Sequence, residues 1–384
     1  MKIIFTTHTY YPSKDGVAIV NDYLTKGLSR KGYSVVVVTH KKDNVPEEED
    51  YCGIRVCRIY EGDNYKYLTF IKKIVDKEDV LVNVCTQTVT TDVLLSHLDE
   101  IKCSKKILYV HGIWNFKWDV RNKASIHNVL SKIYNNAKWR YYYLKNGKYI
   151  KKYDVVTQLH NMDEGNLFFK KYYNISSVIM ENAADDAFFN KNDDSAFLKK
   201  YGLEDKYLLC VANYSSGKNQ EMVLKAYYQS DATYELVFVG NDNSGYIDRL
   251  KETEIELQSR SGEQLEKKRK RVRFLQNINR EEIPMFVRNA NLFLFGSIGE
   301  KFPMSIVEPM AAGVPFISTD VGIVRYFPGG ITVAINDEEA MADKINFLIN
   351  DHQEWLKLSA EGAEYANARM RINDKINLFE ATLK

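Results

Sequence analysis

The chain has 384 residues, more than one ordinary hydrophobic core accommodates, and this length predicts two domains. It is 45% hydrophobic and 27% charged with a formal net charge of +2, so no overall charge bias demands a nucleic-acid partner. No apolar run reaches the ~18–20 residues that cross a bilayer, so no membrane-spanning helix is predicted.

From Lys2 to Thr6 the chain enters a strand pattern directly, with no long apolar segment and no small-residue cleavage site, and the expectation is a cytoplasmic protein. Short β-branched runs recur at 3–6, 35–39, 80–85, 107–111, 155–158 and 177–180. A second series starts at 207–212 and continues at 234–240, 272–275, 291–295, 315–318 and 331–334. Apolar runs of this length without strict alternation read as strands buried on both faces. Their alternation with helical stretches reads as parallel βαβ units. The fold class is therefore α/β, with two doubly wound parallel-sheet, Rossmann-like domains. Ligands are expected beyond the carboxyl ends of the strands, in a cleft where those ends face each other. Polar, turn-prone residues between Glu181 and Ser195 predict the junction, giving an N-terminal domain 1–185 and a C-terminal domain 186–366. The last ~50 residues read as helix, and helix 367–384 is expected to cross back and complete the first domain.

The five cysteines match no zinc or redox spacing and are expected to be reduced. No Asp-x-Asp motif and no His/Asp cluster suits Mg²⁺, so neither metal nor cofactor is expected. Neither half carries Gly-x-Gly-x-x-Gly after its first strand, which argues against a nicotinamide dehydrogenase. One local bias stands out. Residues 117–152 hold ten Lys or Arg against one acid, Asp119, with Trp114, Phe116, Trp118, Trp139 and Tyr141 to Tyr143 in or beside them. That mixture suits a solvated face over core aromatics, peripheral contact with an anionic membrane through residues 114–152, or a grip on nucleic acid, with the membrane favoured over nucleic acid.

The most informative segment is 299–315. Glu300 and Glu308 stand eight positions apart, with a Phe-Pro-Met-Ser turn between them that reads as a strand-to-helix junction. Carboxylates accept hydrogen bonds from vicinal hydroxyls, and free N–H groups at a helix start suit a phosphate, so the pair of features suggests a sugar nucleotide. Pro309 follows Glu308 directly, so the helix either starts late or bends there.

Glu300-Lys-Phe-Pro-Met-Ser-Ile-Val-Glu308 resembles the E-x7-E signature of retaining GT-B glycosyltransferases of the family 4 type. The resemblance extends over nearly the whole chain. Tyr11 to Gly16 looks like that family's glycine loop, Val178 to Phe188 like its interdomain segment, and Val211 to Asn219 like its phosphate-binding loop. It implies a two-domain GT-B enzyme that transfers a sugar from a UDP- or GDP-linked donor to a glycan or lipid-linked glycan acceptor. The resemblance implies a retaining enzyme; the missing Asp-x-Asp motif adds metal independence, and the basic 114–152 stretch adds a place at the inner face of the cell membrane to the cytoplasmic expectation.

The resemblance also implies roles. Glu308 clamps the ribose hydroxyls, and Glu300 contacts the donor sugar, where a carboxylate favours oxocarbenium charge. Phe302, Pro303, Met304 and Ser305 form the diphosphate turn, with Met304 and Ser305 as the N–H donors because Pro303 has none. Lys218 neutralises the leaving diphosphate. Where much of the family carries an arginine this chain has Asn213, which either donates a hydrogen bond or leaves the task to an arginine elsewhere. Gly16 permits close approach to phosphate, or simply makes a tight turn, and Asp15 is a weaker acceptor-side candidate. His111 reaches the donor sugar or is structural; His8 is less favoured. Arg325 replaces part of a Gly-Gly-x-x-Glu pattern, which predicts a different pocket there. Another type of GT-B enzyme (an epimerase or phosphorylase) and a non-catalytic sugar-nucleotide-binding protein are the alternatives.

Overall fold

The computed structural model describes every residue except 115, 117–125, 192–193, 205 and 261–269, and of residues 126–128 and 260 the backbone alone. Trp118, Asp119, Lys117, Arg121 and Lys123 of the basic stretch lie outside the described residues. The chain forms two compact units, residues 1–182 with 372–384, and residues 183–371.

In the first unit, strands β1 (Lys2–Thr6), β2 (Ser34–His40), β3 (Glu48–Tyr51), β4 (Ile54–Tyr60), β5 (Val80–Val84), β6 (Lys105–Tyr109), β7 (Val155–Gln158) and β8 (Val178–Ile179) make one sheet. Their order is β3-β4-β2-β1-β5-β6-β7-β8, parallel except for β3, which pairs antiparallel with β4. The central strands are the apolar runs read from sequence: Ile3, Ile4 and Phe5 of β1 are fully buried between Val35 to Val38 on one side and Val80 to Val82 on the other.

The β3–β4 hairpin was not anticipated. Its outer strand is Glu48-Glu-Asp-Tyr, a charged sequence that pairs on one edge only, which is how edge strands avoid further pairing. Its inner strand holds Arg58, fully buried, whose guanidinium donates to the carbonyls of Pro46 and Tyr11 (2.9 Å each) and to Glu49. A buried arginine inside an apolar run masked the strand.

The Ile372–Leu383 helix completes this unit. Phe379 stacks on Phe5 at 5.6 Å, Ile376 packs where Gly27 leaves no room for a Cβ, and Glu380 accepts from Lys31 and Tyr33. Burying Ile376, Phe379 and Leu383 contributes about 1.5–3 kcal/mol each.

In the second unit, β9 (Tyr207–Val211), β10 (Glu235–Val239), β11 (Val272–Leu275), β12 (Leu292–Phe295), β13 (Phe316–Thr319) and β14 (Gly330–Val333) form an all-parallel sheet ordered β11-β10-β9-β12-β13-β14. Its core runs from Leu208 and Phe238 through Leu294 and Ile317 to the buried faces of the Gln220–Gln229 and Glu338–Asn350 helices. In each sheet the strand order reverses beside the first strand, between β1 and β5 and between β9 and β12. Loops leaving the carboxyl ends diverge at such a point and open a crevice for ligands.

Candidate active site

The second unit brings three predicted residues to its reversal point or to the loops beside it. Lys218 lies on the loop after β9, and Glu300 on the loop after β12. The Lys218 ammonium donates to Glu300 Oε1 at 2.5 Å. Ser297 Oγ lies 3.0 Å from the same carboxylate oxygen and 3.2 Å from the Gly217 carbonyl, while Ile298 N donates to that carbonyl at 3.0 Å. Thr319 Oγ1, from the end of β13, donates to the Ser297 carbonyl at 2.5 Å. Gly322 fixes the far side: its φ is +56°, and a Cβ there would sit 2.3 Å from the Lys301 carbonyl and 2.7 Å from that of Glu300. Only glycine lets that turn lie against the Glu300 backbone. Both charged side chains are partly open, at 34% and 15% exposure.

Glu308 is the fifth residue of the Met304–Ala312 helix. The sequence left open how Pro309 affects this helix; the helix starts at Met304, with Pro303 as its N-cap, and Pro309 lies inside it. Pro309 has no N–H, so the Ser305 carbonyl loses its usual helical donor. No side chain caps the start, and Met304 and Ser305 have no intrahelical acceptor for their N–H groups. Glu308 is 9% exposed, and its carboxylate makes no hydrogen bond among the described residues. Burial pushes its pKa up to about 7; the charge of Arg280 works against that shift and that of Asp185 adds to it. A buried, unpaired carboxylate is costly unless something donates to it. Phe302 packs edge-on to Phe327 with ring centres 5.0 Å apart, so its ring belongs to the core and only its backbone is placed to meet a ligand.

Asn213 takes part in an amide ladder along the carboxyl ends of three strands. Its Oδ1 accepts from Asn241 N at 3.3 Å, and Asn241 Oδ1 accepts from Asn277 N at 3.0 Å. Gln220 Nε2 donates to the carbonyls of Ala212 and Asn213. Asn277 lies with Gln276 in the loop after β11 that the sequence offers as a neighbour of the nucleotide base; Asn241, Ser297 and Arg280 were not singled out as site residues from sequence. Their one shared signal is a polar residue closely following a strand. Arg325, flagged as a departure from the family pattern, is tied to Asp320 through both carboxylate oxygens.

In the first unit, His111 follows β6 and is 7% exposed. Burial pushes its pKa down to about 4, with Asp15 pulling the other way, and its Nε2 is buried with no hydrogen-bond partner. The ring is therefore neutral near pH 7. Asp15 is the N-cap of the Gly16–Arg30 helix: it accepts from Ala18 N at 3.1 Å and from Thr9 Oγ1 at 2.6 Å. Its carboxylate is thus engaged in holding the loop. Gly16 has open space around the position a Cβ would take and no positive φ. His8 is exposed and packs on His40 at 4.3 Å.

Sequence reasoning also missed Gln87, in the loop after β5, where Cys85 and Gln87 have φ of +64° and +61°. The Gln87 amide brackets the Trp114 backbone, accepting from its N–H at 2.7 Å and donating to its carbonyl at 3.0 Å. Among the described residues no cluster of His, Cys, Asp or Glu could hold a metal ion, and no helix is long and apolar enough to cross a membrane.

Two parallel-sheet α/β units with a binding edge at each reversal point define a class, the GT-B fold. Sucrose-phosphate synthase from Thermosynechococcus elongatus matches with a TM-score of 0.76 at 16% identity, over 100% of this chain and 98% of that one. Anabaena HepE in complex with UDP-glucose matches with a TM-score of 0.71 at 14% identity, over 100% and 99%. More particularly, residues 193–369 match the family described as glycosyl transferases group 1. Among curated proteins, N-acetyl-alpha-D-glucosaminyl L-malate synthase of Bacillus anthracis is 24% identical over 243 residues, 60% of this chain and 59% of that protein. The solved structures show the fold, while the group 1 match covers the second unit and the aligned stretch spans about 59% of the curated relative's length.

Proposed function

We propose that this protein is a retaining, metal-independent glycosyltransferase of the family 4 type. It moves a sugar from a nucleoside diphosphate sugar to a hydroxyl of a glycan or lipid-linked glycan acceptor. The observation that carries this reading is the buried, unpaired Glu308, one turn into a helix whose uncapped N-terminus directly follows the loop holding the Lys218–Glu300 pair.

Ribose 2′- and 3′-hydroxyls supply the donors that Glu308 lacks, and they favour its ionised form. Met304 and Ser305 N–H groups receive the diphosphate at the positive end of the helix. Lys218 exchanges Glu300 for the phosphate oxygen on which charge builds as the sugar leaves. The exchange frees the Glu300 carboxylate for the hydroxyls of the sugar ring. The bond from the anomeric carbon to the phosphate oxygen breaks, and the acceptor oxygen bonds to the same face. The acceptor proton goes to the departing phosphate. Neutral His111 offers a hydrogen bond to a sugar hydroxyl. Asn213 enters its ladder through Oδ1, which leaves its amide N–H groups to donate to the diphosphate while Lys218 and the helix start carry the neutralisation. The UDP-glucose held by HepE and the group 1 match make a UDP-linked donor the first choice.

A thermal-shift panel of UDP, GDP, ADP and NAD tests this, because a ligand that binds the native state raises its apparent stability. Stabilisation by a nucleoside diphosphate, absent with NAD and lost in Glu308→Ala, is the expected result. Stabilisation by NAD alone would overturn it.

A further inference from the structure

Apart from Trp114, the basic, aromatic stretch singled out in the sequence takes no part in the site above. In the Ile126–Ile150 helix, Asn136, Tyr143 and Ile150 are fully buried, and Gly147 is closed in by Tyr173. Their spacing sets them on one face. The arc running from one flank of that face out to its far side carries Leu130, Ile133, Tyr134, Tyr141 and Leu144, which are 42–70% exposed. Single exposed apolar residues are ordinary on any surface; five along one arc of a helix mark an interaction surface.

The charge on the same helix is one-sided. It holds five Lys or Arg and no Asp or Glu. Lys138, Lys145 and Lys148 are exposed and stand one turn after Tyr134, Tyr141 and Leu144, beside them on the same face. Of the helix's other two cations, Lys132 is half-buried and Arg140 is engaged elsewhere. Arg140 donates to the Phe116 carbonyl and lies over its ring, and Lys152, just beyond the helix, pairs with Asp99.

We propose that this face docks the protein on an anionic lipid bilayer. The five apolar side chains enter the headgroup boundary, and Lys138, Lys145 and Lys148 pair with lipid phosphates. The pattern disfavours the other occupants. A second copy paired about a twofold axis would set the same lysines against each other. A nucleic acid would use the lysines and leave Leu130, Ile133 and Leu144 in water. The proposal does not depend on the donor chemistry, although a lipid-linked acceptor would be met at such a surface.

The test is flotation of the full chain with vesicles of phosphatidylcholine containing about 30% phosphatidylglycerol, at about 0.15 M salt. The wild type is expected to float with these vesicles and to stay behind with pure phosphatidylcholine. Lys138→Gln/Lys145→Gln/Lys148→Gln and, separately, Tyr134→Ser/Tyr141→Ser/Leu144→Ser are each expected to lower bound protein at least about tenfold. All these positions are exposed, and an unchanged circular dichroism spectrum confirms that each variant folds. Absence of wild-type flotation overturns the proposal, as does flotation of both variants like the wild type. A wild-type dimer that the serine variant dissociates would assign the face to a second copy and overturn it as well. UDP stabilisation, measured on the same samples, reports separately on the sugar-transfer reading.

Discussion

Lys218 and Glu300, 82 residues apart in the chain, neutralise each other across the loops that leave β9 and β12. The pairing fixes where both side chains stand relative to the start of the Met304–Ala312 helix. Each side chain is oriented by the other, and each is partly open to solvent. The pair itself adds little to stability, about 1 kcal/mol or less, as expected for ions that water still reaches.

Removing either partner should therefore affect catalysis far more than folding. Glu300→Gln is expected to lower kcat about 10²–10³-fold while leaving UDP affinity unchanged or higher, because Lys218 is released to the phosphate. Lys218→Ala should lower kcat by a similar factor and weaken UDP binding too. Calorimetric titration alongside initial-rate measurements separates the two. Equal losses of UDP affinity in both variants would contradict the assignment.

Glu308 gives a prediction in pH. Its carboxyl ionises at about 7 in the folded chain against an ordinary 4.5. Between those values the native state holds more protons than the unfolded state, so this group makes stability fall as pH rises from about 4.5 to 7 and level off above. Glu308→Gln removes that loss and should melt a few degrees higher than the wild type above pH 7, with no gain near pH 4. The same substitution should cost about 10–100-fold in nucleotide affinity, since the ionised carboxylate is the acceptor for ribose. Melting curves across pH, with and without UDP, read both effects.

His111 has the opposite sign. Its folded pKa of about 4 lies below the ordinary 6.5, so the unfolded state binds the extra proton and stability is lost as pH falls from about 6.5 to 4. His111→Asn should flatten that acid limb. It should also lower kcat, without adding a neutral pH limb, because the wild-type ring is already uncharged at pH 7.

Gly322→Ala tests the turn beneath Glu300. The position combines a φ of +56° with backbone atoms where the methyl must go, and about 1–3 kcal/mol of destabilisation is expected. Activity should fall further than the lost stability explains, because Glu300 shifts with the turn.

Much of the fold was legible because most strands are buried on both faces. Ile3 to Phe5, Val35 to Val38 and Leu292 to Phe295 are apolar without alternation, and the order of βαβ units follows from that. The β3–β4 hairpin was not legible, since Glu48, Glu49 and Asp50 read as a solvated turn and Arg58 interrupts the inner strand.

At the candidate site, the spacing of Glu300 and Glu308 drew attention to this segment, but spacing carries no information about burial. It did not show that Glu308 is shut off from solvent, or that Pro309 sits inside the helix. Nor does sequence reveal contacts between distant loops: the Lys218–Glu300 pair, the Asn213–Asn241–Asn277 ladder and the Gln87 bracket on Trp114 all depend on which strands become neighbours. Asp15, weighed as an acceptor-side group, also caps a helix, accepting from Thr9 on its loop and from Ala18 in the helix's first turn.

The most direct measurement is calorimetric titration of UDP into the wild type, Glu308→Gln and Lys218→Ala at pH 8, where Glu308 is mostly ionised. Saturable one-site binding to the wild type, weakened at least about tenfold in each variant, is the predicted result. Wild-type affinity in Glu308→Gln would show that the buried carboxylate is not a nucleotide ligand and would contradict the account at its centre.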